Sequence, residues 1–515
     1  MNEFPWLTMI GLVPLVGALV VWLLPAGLAH RAKHVAVGFS VLALLVSLGA
    51  ALAYKTSSTQ QFQLVEQHQW IPQFGVTYAL GVDGIALVLI VMSTILTPIC
   101  LLAAWRDLSV EEGSTGREKN YFALMLVLET FMVGVFAATD VFLFYVFFEA
   151  MLIPVYFLIG HYGGPRRQYA AMKFLLFSLL GGLVMLAAVI GLYVQGPGGA
   201  DGFLISKLTG LSMDVTTGRL LFVGFFFAFA VKAPMFPFHT WLPDAVTESR
   251  PATATLLVGV LDKVGTYGMI RFCLQLFPEA SAWATPVVIT LAVVSVVYGA
   301  LLAIGQTDIM RLISYTSISH FGFIVLGIFA MTTTGGAGAT FYMVNHGFTT
   351  AALFLFAGML ISRRGSKRIA DFGGWQRVTP ALAGVFLVAG LSGLGLPGLG
   401  AFNAEFLTLV GSFQRYQVAS VIATTGIILA ALYILLMYKR MMTGPIPEAA
   451  VGTPDLGVRE KWVVVPLIAL FIGLGVYPKP VLDVINPAIS KTLSYVGVTD
   501  PGPVVPVADA QGGTK

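Results

Sequence analysis

Apolar residues along this chain gather in blocks of about 20, parted by short polar stretches. That is the length an α-helix needs to cross a hydrocarbon core of ~30 Å. The blocks lie near 6–28, 35–54, 79–104, 121–138, 141–160, 170–194, 219–242, 252–276, 285–304, 313–331, 339–361, 380–413, 418–438 and 462–478, and they predict fourteen transmembrane spans. The first block follows MNEFPW, without the basic region of a secretory signal, so it reads as a retained helix. The longest polar stretches are 55–77, 195–218, 443–461 and the Pro/Gly-rich tail after Tyr477. They read as loops, or a disordered end, too short to fold alone.

Two blocks carry breakers at their centres. The seventh contains AVKAPMFPFHTWLPDA, with Pro234, Pro237 and Pro243, and the twelfth contains LSGLGLPGLGAFNAEF, with Pro397 in a glycine cluster. Proline removes a helical hydrogen bond. Irregular backbone at membrane depth survives only where it is buried in protein or lines a polar cavity. Spans 4–8 and 9–13 read as two five-helix units, each with its broken helix in fourth place. Five is odd, so the second unit enters the membrane from the opposite side, as an inverted repeat does. The expected organisation is one membrane domain: three N-terminal helices (1–119), a first repeat (120–280), a second repeat (281–442), then a last helix and tail (443–515).

Composition agrees with the blocks. The chain is 57% hydrophobic and 10% charged, against roughly 25% charged in soluble domains. Its net charge of +4 is spread over the loops, which argues against nucleic-acid binding. With the N-terminus outside, alternation puts nineteen of the 29 basic residues on the cytoplasmic side and seven outside; Lys232, Lys263 and Arg271 fall within spans. The positive-inside bias supports both count and orientation. Cys100 and Cys273 sit far apart in apolar blocks and make no metal or redox spacing. No phosphate-cradling loop ending in Lys-Ser/Thr is present, which argues against ATP-driven transport.

Ionisable groups deep in such a chain are expensive and mark function. Glu149 lies in VFLFYVFFEAMLIPVYFLIG, and Lys232 ends twelve residues without a polar side chain. Both fall near mid-membrane, where each is expected to need the other. Lys263 lies inside span 8 with Asp262 beside it on a different face. Glu405 follows the break in span 12. His320 and His346 lie within spans 10 and 11 among Tyr315, Ser317, Ser319, Asn345, Thr349 and Thr350; imidazole titrates near neutrality and suits a proton relay. The histidines do not recur in pairs on two helices as bis-histidine haem would require. Glu129 reads equally as relay or structure, His239 with Asp244 as entry route or turn support. Asp308 and Arg311 read as a local pair, and Asp83 as a cap or interfacial anchor.

FFEAMLIPVYFLIG, AVKAPMFPFHTWLPDA, DIMRLISYTSISHFGF, NHGFTTAALFLFAGML and LSGLGLPGLGAFNAEF resemble, in order, the proton-translocating antiporter-like membrane subunits of NADH–quinone oxidoreductase, respiratory complex I. The resemblance implies an all-α polytopic fold with fourteen helices and two inverted five-helix repeats broken at spans 7 and 12. It implies a proton axis running Glu149, Lys232, Lys263, His320, His346, Glu405. At the last position the sibling chains L and N usually carry lysine, and L adds a long lateral helix after its core. The implied partners are those siblings, other complex I membrane subunits and lipids. Flavin, iron–sulfur clusters and quinone are expected in partner subunits and no cofactor in this chain. The implied location is a bacterial inner membrane with both termini periplasmic. A multisubunit cation/proton antiporter is the nearest alternative, and a non-conducting scaffold the one from another class.

Overall fold

The computed structural model describes residues 4–108 and 114–502; Lys515 and the rest of the tail beyond Gly502 lie outside the described residues. Among these, eleven helices are long and apolar enough to cross a membrane, or twelve if a bent pair at the C-terminal end is one span. The remaining two of the fourteen blocks are interrupted helices. Residues 251–275 form span 8, in which two α-helical turns alternate with two π-helical stretches, Leu257–Leu261 and Met269–Leu274. Span 12 is divided into Pro380–Gly393 and Gly400–Phe413. Every predicted block is therefore helical, and the fourteen-helix, broken-repeat architecture stands.

Alternation of the loops can be followed through their contacts. On one face Arg363 binds Glu460 at 2.7 Å, Lys33 binds Glu118 at 2.8 Å, and Asp308 pairs with Arg368 through a β-bridge. On the other, Gln275 meets Gln61 and Thr209, and Tyr495 meets Gln61. Each joins segments that the fourteen-span alternation puts on the same side.

Two polar stretches read as loops are ordered. Residues 55–77 contain most of an antiparallel hairpin, β1 (Gln63–Ile71) and β2 (Val76–Val82), turned at Gly75 with φ +68°. The polar faces of β1 obscure it in sequence, and the pairing is fixed by β2, which is buried against the bundle. Its Glu66 accepts the Leu7 N–H at 2.7 Å, meeting a donor that the start of span 1 leaves orphaned. The segment after Tyr477 is likewise a helix, Lys479–Val496, bent 68° from span 14 (Val458–Val476). It buries Ile485, Ala488, Ile489, Thr492 and Leu493. That i, i+3, i+4 spacing gives one apolar stripe, enough to dock a helix that is otherwise polar.

Burial ranks the spans. Spans 10 (Ile309–Phe329) and 11 (Thr333–Arg364) are 94% buried, whereas span 2 (Gly27–Ala53) is 28% buried. His320 and His346 thus lie on two of the most enclosed helices of the bundle, beside the equally buried span 8 that carries Lys263.

Candidate functional site

The first repeat supplies a carboxylate and a lysine. Span 5 (Val141–Tyr162) starts at Asp140, whose carboxylate caps it through the Phe142 and Leu143 N–H groups and also accepts the Thr77 N–H from β2. Glu149 lies two turns further on, against Gly182 of span 6 (Arg167–Gln195); a Cβ on that glycine would overlap the Glu149 carboxylate. Lys232 ends the first half of span 7 (Val215–Lys232). Its ammonium is buried over the rings of Phe148, at 5.0 Å, and Phe174, at 5.6 Å. Lys232 Nζ and Glu149 Oε1 have no hydrogen-bond partner among the described residues. The expected pair is neighbourly, in electrostatic reach, but not in contact.

The break after Lys232 is held by its surroundings. The Trp241 indole N–H donates to the Val231 carbonyl at 3.0 Å, and the Ser295 hydroxyl accepts the Phe236 N–H at 2.8 Å. Backbone groups freed at the break thus find side-chain partners on neighbouring elements, which fix the interruption in place.

Asp262 and Lys263 follow the first π stretch of span 8. There the Asp262 N–H reaches back to the Leu257 carbonyl, and the Val258 carbonyl accepts from Lys263 Nζ at 2.6 Å. π turns of this kind favour functional positions. Both Asp262 oxygens are buried without a hydrogen-bond partner among the described residues. They lie within electrostatic reach of Lys232 and of Lys263. Asp262, unassigned by sequence, thus shares its field with both lysines.

The second repeat continues the line by contact. Lys263 Nζ lies 2.6 Å from His346 Nδ1 and over the Phe321 ring. The His346 and His320 rings meet edge to face at 5.3 Å. Tyr433 Oη lies 3.4 Å from His320 Nε2, and the Tyr342 hydroxyl donates to Glu405 at 2.6 Å. The other face of the Glu405 carboxylate rests on Gly395, which turns the break at φ +74° and whose Cβ would overlap it. Tyr342 and Tyr433 are the members of this line that sequence reasoning missed. Tyr342 stands four residues before His346, on the same helical face, which was the available signal. Ser317, Ser319 and Asn345 instead donate to backbone carbonyls, while Thr349 meets Ser392 at 2.8 Å.

The remaining candidates lie off this line. Glu129 on span 4 (Gly116–Ala137) is buried with both oxygens unpartnered among the described residues, facing Thr97. His239 packs between Phe236 and Tyr298. Arg311 is not the side-chain partner of Asp308: Asp308 caps span 10 by accepting the Arg311 N–H at 3.0 Å, and the Arg311 guanidinium reaches Asp244 at 2.7 Å. Three residues apart at a helix start, a carboxylate meets the backbone sooner than the side chain. Asp83 does cap span 3 (Gly84–Arg106), through the Ala86 N–H, and in addition forms a buried ion pair with Arg271.

The family model described as NADH:quinone oxidoreductase/Mrp antiporter, transmembrane, matches residues 138–430, which hold every residue of the line except Tyr433. The chain belongs to this family. NADH-quinone oxidoreductase subunit M of Mycobacterium tuberculosis is 52% identical to it, over 98% of this chain and 97% of that one. A chain of respiratory complex I from Thermus thermophilus superposes with a TM-score of 0.86 at 30% identity, covering 96% of this chain and all of that one. A chain of the Mrp complex from Dietzia superposes at 0.82 with 22% identity, over 96% and 99%, which is likeness of fold.

Proposed function

We propose that this chain is the M-type proton-translocating membrane subunit of an NADH–quinone oxidoreductase. The observation that carries the reading is the buried line Lys263–His346–His320, with Tyr433 and Tyr342 leading to Glu405, set on the most enclosed spans. The 52% identity to an NADH-quinone oxidoreductase subunit M favours this assembly over an Mrp-type antiporter, whose chain is 22% identical. The chain itself carries out no redox step. Partner subunits hold the flavin, iron–sulfur clusters and quinone, and its membrane neighbours include the sibling chains L and N. It sits in a bacterial inner membrane with both termini on the periplasmic side, as three leading helices, repeats over 120–280 and 281–442, and a closing helix with its tail.

In this mechanism a charge signal from a neighbouring subunit changes the separation of Glu149 and Lys232. When Glu149 moves away, Lys232 loses the charge that holds its proton and releases it toward Asp262 and Lys263. Lys263 donates to His346 Nδ1. A ring that accepts there carries its hydrogen on Nε2, so protonation at one nitrogen permits release from the other. Glu405, held by Tyr342, is the last group before the outer side. Moving one proton against 100 mV requires ~2.3 kcal/mol, which a pKa change of under about two units in one carrier supplies.

The test is Lys232→Ala in complex whose assembly has been verified, read as NADH-driven proton uptake by membrane vesicles. The proposal expects uptake to be lost; wild-type uptake would establish this chain as a scaffold. Co-purification with iron–sulfur and flavin subunits separates the respiratory assembly from the antiporter.

A further inference from the structure

The two broken spans share a register. The first half of span 7 ends at Lys232 and that of span 12 at Gly393; Asp244 stands twelve residues beyond the one and Glu405 twelve beyond the other. Each carboxylate takes a hydrogen bond from the span before it in its repeat. Lys173 Nζ of span 6 donates to Asp244 Oδ2 at 2.7 Å, and Tyr342 Oη of span 11 donates to Glu405 Oε1 at 2.6 Å. The donors correspond as well: Lys173 lies 22 residues before Gln195, the end of its helix, and Tyr342 lies 22 before Arg364, the end of its own. One construction occurs twice, and inversion of the repeat puts the two copies toward opposite faces.

The copies differ in what completes them. Glu405 is enclosed, at 3% exposure. The Asp244 side chain is 15% exposed and has a second partner, Arg311 Nη1 at 2.7 Å, which comes from span 10 and therefore from the other repeat. Asp244 sits on the short second half of span 7, Trp241–Glu248. At its start Trp241 is bonded to the Val231 carbonyl, one residue from Lys232. His239 occupies the turn between, close enough to Lys173 to feel its charge. A displacement of Asp244 is thus carried through a rigid two-turn helix to the turn that bears Lys232.

We propose that Asp244 is the positioning carboxylate of the inner half of the proton path, the counterpart of Glu405: shared between Lys173 and Arg311, it fixes the second half of span 7 against both repeats and so sets where Lys232 stands. The proposal rests on the proton-path reading above. Asp244 carries no proton in it. It balances two cations at the inner mouth, and losing it leaves Lys173 uncompensated beside His239 and the Lys232 turn held from one end.

The experiment uses the assembled complex in membrane vesicles, with NADH:quinone turnover and proton uptake measured on the same preparation. Asp244→Asn is expected to lower protons taken up per NADH by roughly tenfold, the scale of effect of an ångström of misplacement or less. Asp244→Glu, which keeps the charge, is expected to recover to within about threefold of wild type; a bulk packing role would not be rescued by the longer side chain. Lys173→Met with Arg311→Met is expected to match Asp244→Asn and to add nothing to it, because all three residues act as one unit. Should Asp244→Asn fail to assemble, the Lys173→Met/Arg311→Met pair decides. Wild-type proton uptake per NADH in the assembled Asp244→Asn or paired variant, with Lys232→Ala inactive, overturns this proposal and leaves the path intact. Wild-type values in both Asp244→Asn and Lys232→Ala overturn the path itself.

Discussion

The two halves of the polar line are built in opposite ways. From Lys263 to Glu405 hydrogen bonds join most neighbours, with Lys263 2.6 Å from His346 and Tyr342 2.6 Å from Glu405. The one break is His346 Nε2, which packs toward His320 without a hydrogen-bond partner among the described residues. From Glu149 to Asp262, Lys232 and Asp262 are as deeply buried and Glu149 is half-buried, yet Glu149 Oε1, Lys232 Nζ and both Asp262 oxygens have no hydrogen-bond partner among the described residues. Phenyl rings surround Lys232 where imidazoles and phenols surround the second half. A buried charge without a partner costs several kcal/mol, so the first half holds its groups in an arrangement whose energy depends steeply on where the charges sit. A bonded row transmits a proton with little movement; a gapped row responds to movement. On the proposed function, coupling belongs in the gapped half and conduction in the half that is mostly bonded.

Variants can break this contrast. The largest effect is expected for Lys263→Ala, at the junction: NADH-driven proton uptake in assembled complex falls by two orders of magnitude or more, since relay groups contribute about 10²–10⁴-fold. Residual uptake near wild type would show that the two halves do not meet there. Next comes Glu149→Gln, which keeps the shape and removes the charge. Uptake per NADH is expected to fall by about tenfold while Lys232 stays in place, and an unchanged ratio would remove Glu149 from coupling. Tyr342→Phe is expected to cost less, about threefold to tenfold, the worth of one hydrogen bond to a buried carboxylate; a Tyr342→Phe complex that pumps normally would make that bond merely structural.

The smallest expected effect tests the cap of span 5. Burial pushes the Asp140 carboxyl up to about 6, against the opposing pull of the Leu143, Thr77 and Phe142 N–H groups. A carboxyl raised in the folded state contributes stability that is present below the unfolded value of 3.8 and is lost as pH rises through 6. The stability of wild type relative to Asp140→Asn should therefore be greater at pH 5 than at pH 7.5, by about a degree or two in thermal unfolding. No difference between the two pH values would mean that Asp140 is ionised throughout.

Much of this was legible in the chain. A helix that crosses lipid must satisfy its backbone internally and cover itself with apolar side chains, so span number follows from local composition, and prolines or glycines inside a span announce a break. Glu149 and Lys232 were conspicuous because nothing around them in sequence is polar, and Lys263 and Glu405 because they are charged residues inside otherwise apolar spans. The hairpin at Gln63–Val82 and the helix at Lys479–Val496 escaped notice because polar residues fill β1 and all but one stripe of the helix, so neither makes a continuous apolar block. Arg271 was visible, but its pairing with Asp83, 188 residues away, was not.

The ionisable residues within the spans thus had two origins of meaning. Sequence alone determined that they exist, how deep they lie and which helices break beside them, because depth and helix length are one-dimensional quantities. Only the tertiary structure decided which are neighbours: that Lys263 meets His346, that Tyr342 holds Glu405, that Arg311 turns from Asp308 to Asp244. Those contacts join helices distant along the chain, and their geometry is set by how fourteen cylinders pack, a property that no local pattern encodes.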